Sequence, residues 1–348
     1  MNLLRLEEIL SQLPKLRILV LGDFFLDQYW VVDPSLVEQS LETGRQAHQV
    51  VNIRLSPGAA GTVVNNLAGL QVGAIEVIGF RGNDGNGWEL DRGLREAGAR
   101  TTGLIASSER KTPVYTKPMM LEQDGEVEAE RYDIKNRTPT PARLQDQIIA
   151  RLRRLFPVVD GVVVLDQVQE DECGVVTARV RDALEELARK HQEKPVLADS
   201  RSRIGEFRSV SVKPNLMEAA SAVAVPSEEV DRVLETLARV TQRPVYLTRG
   251  SGGISLSAEG RSRHLGIIPT TGPIDPVGAG DSVNAAVIAA LASGAAPLEA
   301  AQLGLLASSV TVHKLGTTGI ATPREILEKA SRNFHLLVGW NKQGESTF

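Results

Sequence analysis

The most informative stretch of this sequence is Asp275-Pro276-Val277-Gly278-Ala279-Gly280-Asp281-Ser282, which leads into a run of small residues with helical composition, 283–294. Two glycines and an alanine allow backbone N–H groups to crowd together at the start of that helix, where partial positive charge accumulates. Asp281 lies in the first turn, where its carboxylate is well placed to take a proton from an attacking hydroxyl. The alternative is a tight loop before a buried helix, with Asp281 as its cap. The rest of the chain favours the chemical interpretation.

The composition is that of an ordinary globular protein. At 348 residues, with 42% hydrophobic and 24% charged residues, the chain can bury a substantial core in one large α/β domain or two medium ones. The formal net charge of −4 gives no electrostatic reason to expect nucleic acid or an anionic membrane as a partner. A single cysteine, Cys173, excludes an internal disulfide framework and a cysteine-cluster metal site.

The N-terminus and the hydropathy pattern bear on localisation. The first residues include Glu7 and Glu8 and no long apolar run, so they are not typical of a secretory signal. No stretch approaches about 18 uninterrupted apolar residues, and we therefore expect no membrane-spanning helix. The sequence predicts a cytoplasmic protein without a membrane partner.

Short apolar runs alternate with helical patterns through most of the chain. The first run, RILVLG at 17–22, ends at a glycine and is typical of a buried parallel strand. Further strands of the same kind are predicted at 74–80, 161–165, 195–199 and 244–247, and helices at 62–71, 88–96, 141–155, 171–191, 228–241, 279–292, 297–313 and from 323 to the early 330s. This alternation predicts an α/β fold with a doubly wound sheet flanked by helices. We expect one domain over 15–335, an N-terminal helix within 1–14 and a polar tail over 336–348.

Two aspartates follow the first strand, at the sheet edge where open α/β folds bind their ligands. Asp23 is a candidate hydroxyl binder, and the alternative of a capping or solvated carboxylate is equally open for it. Asp27 is favoured as a ligand-binding residue. A second turn of small residues, 56–61, opens the helix predicted at 62–71 and suits a backbone lying against a polar ligand.

A separate small sheet is predicted from two parts of the chain. Residues 46–55 look like a strand whose neighbour lies elsewhere, and 112–120 and 127–133 flank Asp124-Gly125, a strong hairpin signal. No helix separates these segments, so we expect lid strands at about 45–55 and 112–133. A flap that covers the ligand site is the functional interpretation, and an edge decoration is the alternative.

Two motifs in the second half of the chain suit a nucleotide and its metal. Asn215 and Glu218 lie three residues apart at a predicted helix start and share one face, so they either hold hydrated Mg²⁺ through water or form a simple helix cap. The turn Thr248-Arg249-Gly250-Ser251-Gly252-Gly253 offers a hydroxyl and several N–H groups to an anion.

Together these motifs resemble those of the ribokinase family, also called the PfkB carbohydrate kinases. The resemblance covers about residues 15 to 330 and implies a ribokinase-like doubly wound sheet with a small β lid. The matching segments are Gly22-Asp23 with Asp27, Pro57-Gly58-Ala59-Ala60, Gly79 with Gly82, Asp84 and Gly87, Asn215-x-x-Glu218, Thr248-x-Gly250-x-x-Gly253, and Asp275-Pro-Val-Gly-Ala-Gly-Asp281.

Within this family the chain is most similar to the heptose-7-phosphate kinase domain of the bifunctional lipopolysaccharide heptose enzymes. We expect the nucleotidyltransferase half of those enzymes to be absent, since it needs another long stretch of chain. The residues that carry this similarity are Leu21-Gly22-Asp23-x-x-Leu26-Asp27-x-Tyr29-Trp30, Thr116-Lys117, Arg131-x-Asp133 and Val312-His313-Lys314-Leu315-Gly316-Thr317.

The resemblance implies ATP-dependent phosphorylation of a sugar hydroxyl. Asp281 would be the general base, and the backbone N–H groups of Gly278, Ala279 and Gly280 would stabilise charge on the transferring phosphoryl group. Asn215 and Glu218 would order Mg²⁺ and its waters. The remaining positions implied by the resemblance are Thr248, Gly250 and Gly253 along the nucleotide, His313, Lys314 and Gly316 near its base or ribose, and Asp275 beside a monovalent cation such as K⁺.

The resemblance implies that Asp27, Gly58 and Ala59 face the sugar. Lys117 and Arg131, on the two arms of the predicted hairpin, are candidate lid cations for a sugar phosphate; the alternative is that they only solvate the lid. A homodimer through the lid is a further expectation.

The chain departs from the family pattern in the sugar pocket. The family usually has Gly-Gly where Gly58-Ala59 stands, and asparagine at the position of Thr62. A threonine hydroxyl cannot reproduce both ends of an amide, and Asn66, one turn later, is the candidate substitute.

Alternative functions are a kinase for another polyol or nucleoside, or a sugar- and nucleotide-binding protein with weak catalysis. An oxidoreductase is disfavoured because no G-x-G-x-x-G follows the first strand, and a P-loop kinase because no Walker sequence occurs.

Overall fold

The computed structural model describes residues 1–123, 125–316, 318–339 and 346–347. The predictions for Asp124, Thr317 and most of the polar tail lie outside these residues. The helices are α1 Leu3–Gln12, α2 Ala60–Gly69, α3 Gly85–Glu96, α4 Ala142–Leu155, α5 Ala178–Lys190, α6 Leu216–Val223, α7 Val230–Thr241, α8 Ala279–Ala292, α9 Pro297–Thr311, α10 Pro323–Arg332 and α11 Phe334–Gly339. The strands are β1 Arg17–Gly22, β2 Phe24–Gln39, β3 Gln46–Ala59, β4 Ala74–Gly82, β5 Ala99–Arg100, β6 Leu104–Ser107, β7 Val114–Glu122, β8 Gly125–Glu128, β9 Tyr132–Ile134, β10 Gly161–Asp166, β11 Val196–Ser200, β12 Ser211–Val212, β13 Val245–Thr248, β14 Ile254–Ala258, β15 Arg261–Leu265 and β16 Ser346–Thr347.

The large sheet has β1 near its centre. Its order is β16-β15-β14-β13-β12-β11-β10-β1-β4-β5, with β6 pairing to β4. Strands from β4 through β1 and β10 to β13 run parallel, and β14 and β15 add an antiparallel edge. Ile18 and Val20 pack on one side of the sheet and Leu19 and Leu21 on the other, because successive side chains of a strand face opposite ways. Both sides are therefore covered by helices, which is the doubly wound arrangement.

Helix α8 packs in the centre of one layer against α2, α9 and β10. Residues 282–290 are all buried, and five of those nine are alanine or serine. These small side chains let the helix lie close to the sheet and to α9. The N-terminus of α8 is consequently held at the carboxyl edge of the strands.

The lid is a separate sheet with the order β3-β2-β7-β8, in which β9 also pairs with β7. It is larger than the sequence predicted, because β2 is a 16-residue strand that continues directly from the end of β1, and β3 reaches Ala59 instead of ending at 55. Strand β2 was not predicted, because it is half-exposed and has no regular alternation of buried and exposed residues. Its pairing with β3 also shifts register between Val31 and Val32 and again between Asp33 and Glu38.

Helix α5 begins at Ala178, seven residues later than the predicted start at 171. The intervening loop is tied to the end of β1 by one buried carboxylate. Asp23 accepts hydrogen bonds from the backbone N–H groups of Gln167, Val168 and Val175, at 2.8, 3.0 and 2.7 Å. Those N–H groups are thus satisfied without a helix.

The described part of the chain contains no helix with the length and apolar character needed to cross a bilayer.

Candidate active site

Two adjoining cavities lie at the carboxyl edge of the large sheet. The first, of about 460 Å³, lies between that edge and the lid and is lined by Asp27, Lys117 and Arg131 among others. The second, of about 370 Å³, is lined by Glu218 and Thr248 with the loop that precedes α8. Four residues line both cavities: Gln167, Arg201, Gly278 and Asp281. The predicted general base therefore lies where the two cavities meet.

The loop before α8 is shaped by its own hydrogen bonds. Asp275 accepts from the Val277 N–H through its side chain at 3.0 Å, and Gly278 adopts φ +81°, a left-handed conformation that favours glycine. The Ala279 N–H donates to the Pro276 carbonyl at 3.1 Å, so this amide has a partner within the loop. Among the residues that the structure describes, the amides of Gly278 and Gly280 donate to no acceptor. Two of the three predicted N–H groups are thus available to an anion.

Asp281 has a pKa raised to about 7. The main cause is burial, and the negative charge of Asp199 adds to it, while Lys213 and Arg201 act in the opposite direction. A carboxylate with a pKa near neutrality is suited to accept a proton and release it again.

Lys213 and Asp199 form a buried pair beside Asp281. The Lys213 ammonium lies 3.0 Å from Asp199 Oδ2, and the Asn284 amide donates to the same oxygen at 2.6 Å. This pair lines the second cavity. Lys213, Asp199 and Arg201 were not predicted, although Asp199 and Arg201 stand at or just after the end of the strand predicted at 195–199, which is the signal that identified Asp23 and Asp27.

Asn215 and Glu218 form a reciprocal cap at the start of α6. Asn215 Oδ1 accepts from the Glu218 N–H at 2.9 Å, and Glu218 Oε2 accepts from the Asn215 N–H at 2.8 Å. Both residues also line the second cavity, so capping and access to a ligand occur together. Burial and the charge of Asp199 raise the pKa of Glu218.

The other predicted nucleotide residues divide into two groups. Thr248, Gly250 and Gly253 line the second cavity. Gly253 has φ +83°, and a Cβ there would lie 2.0 Å from the Leu265 carbonyl oxygen, which requires glycine. His313, Lys314 and Gly316 line neither cavity. Lys314 is instead paired with Glu325 at 2.8 Å, at the start of α10.

Asp27 lies in the first cavity beneath the lid. A Cβ on Gly58 would lie 2.6 Å from Asp27 Oδ2, so the glycine leaves room for this carboxylate. Burial raises the pKa of Asp27 to about 6, against the opposing charges of Lys117 and Arg131. Ala59 also lines the cavity, at φ +52°, a conformation that the family's glycine adopts more easily.

Asn66 does not reach the first cavity. Its side-chain amide is buried in α2 and donates to the Thr62 carbonyl at 2.9 Å, one turn earlier in the same helix. Thr62 itself lines the cavity. The geometry therefore gives Asn66 a helix-internal partner instead of the sugar contact that the sequence suggested.

Lys117 and Arg131 both face the first cavity, but each has an acidic neighbour. The Lys117 ammonium lies 4.0 Å from Glu128 and 5.2 Å from the centre of the Tyr29 ring. Arg131 donates to both carboxylate oxygens of Asp133, at 2.8 and 2.9 Å. It stands just before β9 and not on a hairpin arm, because β9 and β8 pair separately with β7.

Comparison with known proteins identifies the family. The profile of the pfkB family carbohydrate kinases matches residues 26–324. The chain belongs to the pfkB family of carbohydrate kinases. The predicted family, the ribokinase-like fold and the enzyme class are thereby confirmed.

The chain is also similar to bifunctional proteins named HldE. The chain is 33% identical over 339 residues to the bifunctional protein HldE of Citrifermentans bemidjiense, covering 92% of this chain and 64% of that protein. It is 31% identical over 340 residues to HldE of Trichlorobacter lovleyi, covering 93% of this chain and 65% of that protein. The chain thus spans slightly less than two thirds of the length of these relatives.

The fold is similar to that of solved sugar kinases. Arabidopsis thaliana ribokinase complexed with ribose and ATP superposes with a TM-score of 0.64 at 18% identity, covering 90% of this chain and 98% of that one. A phosphofructokinase-2 mutant from Escherichia coli superposes with a TM-score of 0.66 at 17% identity, covering 91% and 99%.

Proposed function

We propose that this carbohydrate kinase transfers the γ-phosphoryl group of ATP to a hydroxyl of a sugar phosphate, with Asp281 as the general base. The observation that carries the proposal is the position of Asp281 at the junction of the lid cavity and the cavity lined by Thr248 and Gly253. The acceptor would occupy the first cavity, with Asp27 binding its hydroxyls. The nucleotide would occupy the second, along Thr248, Gly250 and Gly253.

In this mechanism the acceptor hydroxyl attacks the γ-phosphorus while its proton moves to the Asp281 carboxylate. A new O–P bond forms, and the bond between the β–γ bridging oxygen and the γ-phosphorus breaks to release ADP. The amides of Gly278 and Gly280, which donate to no acceptor in the described residues, would stabilise the developing negative charge as preorganised donors. The raised pKa of Asp281, about 7, makes its protonation by the acceptor less unfavourable.

A hydrated Mg²⁺ fits beside Glu218. The described residues contain no group of three or more His, Cys, Asp or Glu side chains arranged for a metal, and Mg²⁺ in such sites is bound by few carboxylates and several waters. Glu218 Oε2 is used in the helix cap, and Oε1 remains for a coordinated water. When bound, Mg²⁺ neutralises charge on the nucleotide phosphates. The Asn215 backbone N–H holds the Glu218 side chain in place by donating to its Oε2.

Asp275 is the proposed ligand for a monovalent cation such as K⁺. Its Oδ1 accepts from Val277, while Oδ2 has no hydrogen-bond partner in the described part of the chain. Replacing K⁺ in the buffer with tetramethylammonium should lower kcat, and Asp275→Asn should remove that dependence. Equal activity in both salts would contradict a cation role for Asp275.

Two lid cations support a phosphorylated acceptor. Lys117, Arg131 and Asp27 line the same cavity, and the two cations oppose the rise in the pKa of Asp27. A dianionic phosphate would bind them in competition with Glu128 and Asp133. The similarity to heptose-7-phosphate kinase domains makes heptose 7-phosphate the first acceptor to test. Lys117→Ala should raise KM for a sugar phosphate more than for the matching neutral sugar, and equal changes would reject this role.

We further propose a cytoplasmic homodimer that associates through the lid. Eight apolar side chains on the lid strands are exposed by more than 36% of their surface: Leu36, Val50, Val51, Ile53, Leu121, Val127, Tyr132 and Ile134. Covering these side chains removes apolar area from water. Light scattering should give a dimer for the wild type and a monomer for Ile53→Lys. A monomeric wild type would contradict the dimer.

The function is tested by measuring ATP consumption over a panel of sugars and sugar phosphates. We expect turnover with a phosphorylated sugar and none with Asp281→Asn. Turnover confined to neutral polyols or nucleosides would reject the sugar-phosphate assignment and leave the kinase class intact.

A further inference from the structure

Arg201 is the cation at the junction of the two cavities. It follows the last residue of β11, and its backbone N–H donates to the Asp166 carbonyl at the end of neighbouring β10, at 3.0 Å. This places its side chain at the carboxyl edge of two adjacent parallel strands. It lines both the acceptor cavity and the nucleotide cavity.

The Arg201 guanidinium is oriented without being neutralised. Its Nε donates to Gln167 Oε1 at 2.9 Å, and Gln167 also lines both cavities. Across the described residues, Arg201 forms no ion pair with a carboxylate within 4.0 Å, and its two terminal nitrogens have no acceptor. Lys117, Arg131 and Lys213 each have a carboxylate nearby.

The Arg201 charge acts on ionisable groups of both cavities. It lowers the pKa of Asp281 and that of Glu218, which lie at the predicted base and at the proposed Mg²⁺ position. It also lowers the pKa of Tyr115 in the lid. Because Arg201 and Asp281 both line the two cavities, the guanidinium lies at the acceptor side, the nucleotide side and the base.

We propose that Arg201 is a catalytic residue whose two free terminal nitrogens contact the γ-phosphoryl oxygens as the group passes between the cavities. The inference rests on the proposed function. A guanidinium presents a planar pair of donors that matches two phosphoryl oxygens, and it remains charged at all relevant pH values. Gln167 is a positioning residue that holds the guanidinium plane by its Nε.

The first test compares steady-state kinetics of Arg201→Ala and Arg201→Lys with the wild type. Removing one electrostatic donor to a transition state lowers kcat about 10²–10³-fold, and we expect this for Arg201→Ala with KM for ATP and acceptor little changed. The kcat of Arg201→Lys should lie between those of the wild type and Arg201→Ala, since the lysine keeps the positive charge but loses the planar pair of donors. Arg208→Ala is the matched control, because Arg208 is exposed, lines neither cavity and, among the described residues, donates only to the backbone carbonyls of Gly205 and Phe207.

Two readouts separate catalysis from a structural role. Guanidinium ion added at millimolar concentration should restore part of kcat to Arg201→Ala and none to Asp281→Asn. The acidic limb of the kcat/KM profile should move to higher pH in Arg201→Ala, because a charge that lowers the pKa of Asp281 is gone. A loss of activity with neither change would overturn the proposal, as would a rise confined to KM for the sugar phosphate, which indicates a substrate-phosphate contact.

A binding experiment keeps this inference separate from the proposed function. ADP with aluminium fluoride, a mimic of the transferring phosphoryl group, should bind the wild type more tightly than ADP alone, and Arg201→Ala should lose most of that gain in calorimetry. The calorimetric comparison does not require turnover of any acceptor. Equal gains in both proteins would overturn the role of Arg201, whereas absence of wild-type turnover with every acceptor would overturn the proposed function.

Discussion

Replacing Asp281 with asparagine should make the protein more stable while abolishing its turnover. The Asp281 carboxylate is partly buried near Asp199, and its pKa is raised to about 7 because its ionised form is poorly solvated there. Asparagine has nearly the same shape and no charge. The variant therefore removes an unfavourable charge from the folded state at neutral and alkaline pH.

The magnitude follows from the pKa of Asp281. A rise from 3.8 to about 7 corresponds to at most about 4 kcal/mol of free energy, at about 1.4 kcal/mol for each tenfold change. The carboxylate retains contact with water, so we reduce this to about 1–2 kcal/mol. Because the folded-state pKa lies above the unfolded value, the contribution of Asp281 to wild-type stability is fully present below the unfolded pKa and is lost as pH rises through about 7. The gain from asparagine should accordingly be largest above pH 7.

Urea denaturation at pH 8.5 and pH 5 measures this gain. We expect Asp281→Asn to have a higher free energy of unfolding than the wild type at pH 8.5, and a difference at most about two- to threefold smaller at pH 5. Asp182→Asn on α5 is the matched control, since Asp182 is exposed and should give no gain at either pH. A less stable Asp281→Asn at pH 8.5, or an equal gain at both pH values, would show that the Asp281 charge does not destabilise the folded state.

Three further predictions concern pH, the core and the lid. The kcat/KM of the wild type should fall below about pH 7 as Asp281 becomes protonated, and a profile flat down to pH 5 would contradict a base of this pKa. Arg203→Ala should lower the free energy of unfolding by about 3–5 kcal/mol in urea denaturation, because it leaves the buried Asp166 without its bidentate partner. Arg232→Ala, an exposed control on α7, should lower the free energy of unfolding by under about 1 kcal/mol. Acceptor binding should slow amide hydrogen exchange in β3 and β7, and protection that appears only elsewhere would argue against a closing lid.

The sequence predicted those elements whose burial leaves a clear local pattern. Strand β1 and helix α8 begin and end at the predicted residues, because one is a continuous apolar run and the other an uninterrupted stretch of small residues. Strand β2 was missed because it is half-exposed and irregular in register, so neither periodicity is clean. The late start of α5 depends on Asp23, which is 144 or more residues away in sequence from the N–H groups it binds.

The same limit applies to the site. Asp281, Glu218 and Asp27 were predicted because each belongs to a local motif, and all three line the cavities. Arg201 and Lys213 belong to no such motif, and their position near Asp281 results from the order of strands in the sheet. Sequence spacing also suggested that Asn66 faces the sugar, but it cannot show that the Asn66 amide turns back to the Thr62 carbonyl.

Phosphorus NMR of ATP with a panel of sugar phosphates measures phosphoryl transfer itself and its dependence on Asp281. The wild type should convert ATP to ADP and produce a new phosphate ester on the acceptor. Asp281→Asn should reduce that rate about 10²–10⁴-fold while binding ATP with an unchanged Kd. Near-normal phosphoryl transfer by Asp281→Asn would contradict the assignment of Asp281 as the base at the junction of the two cavities.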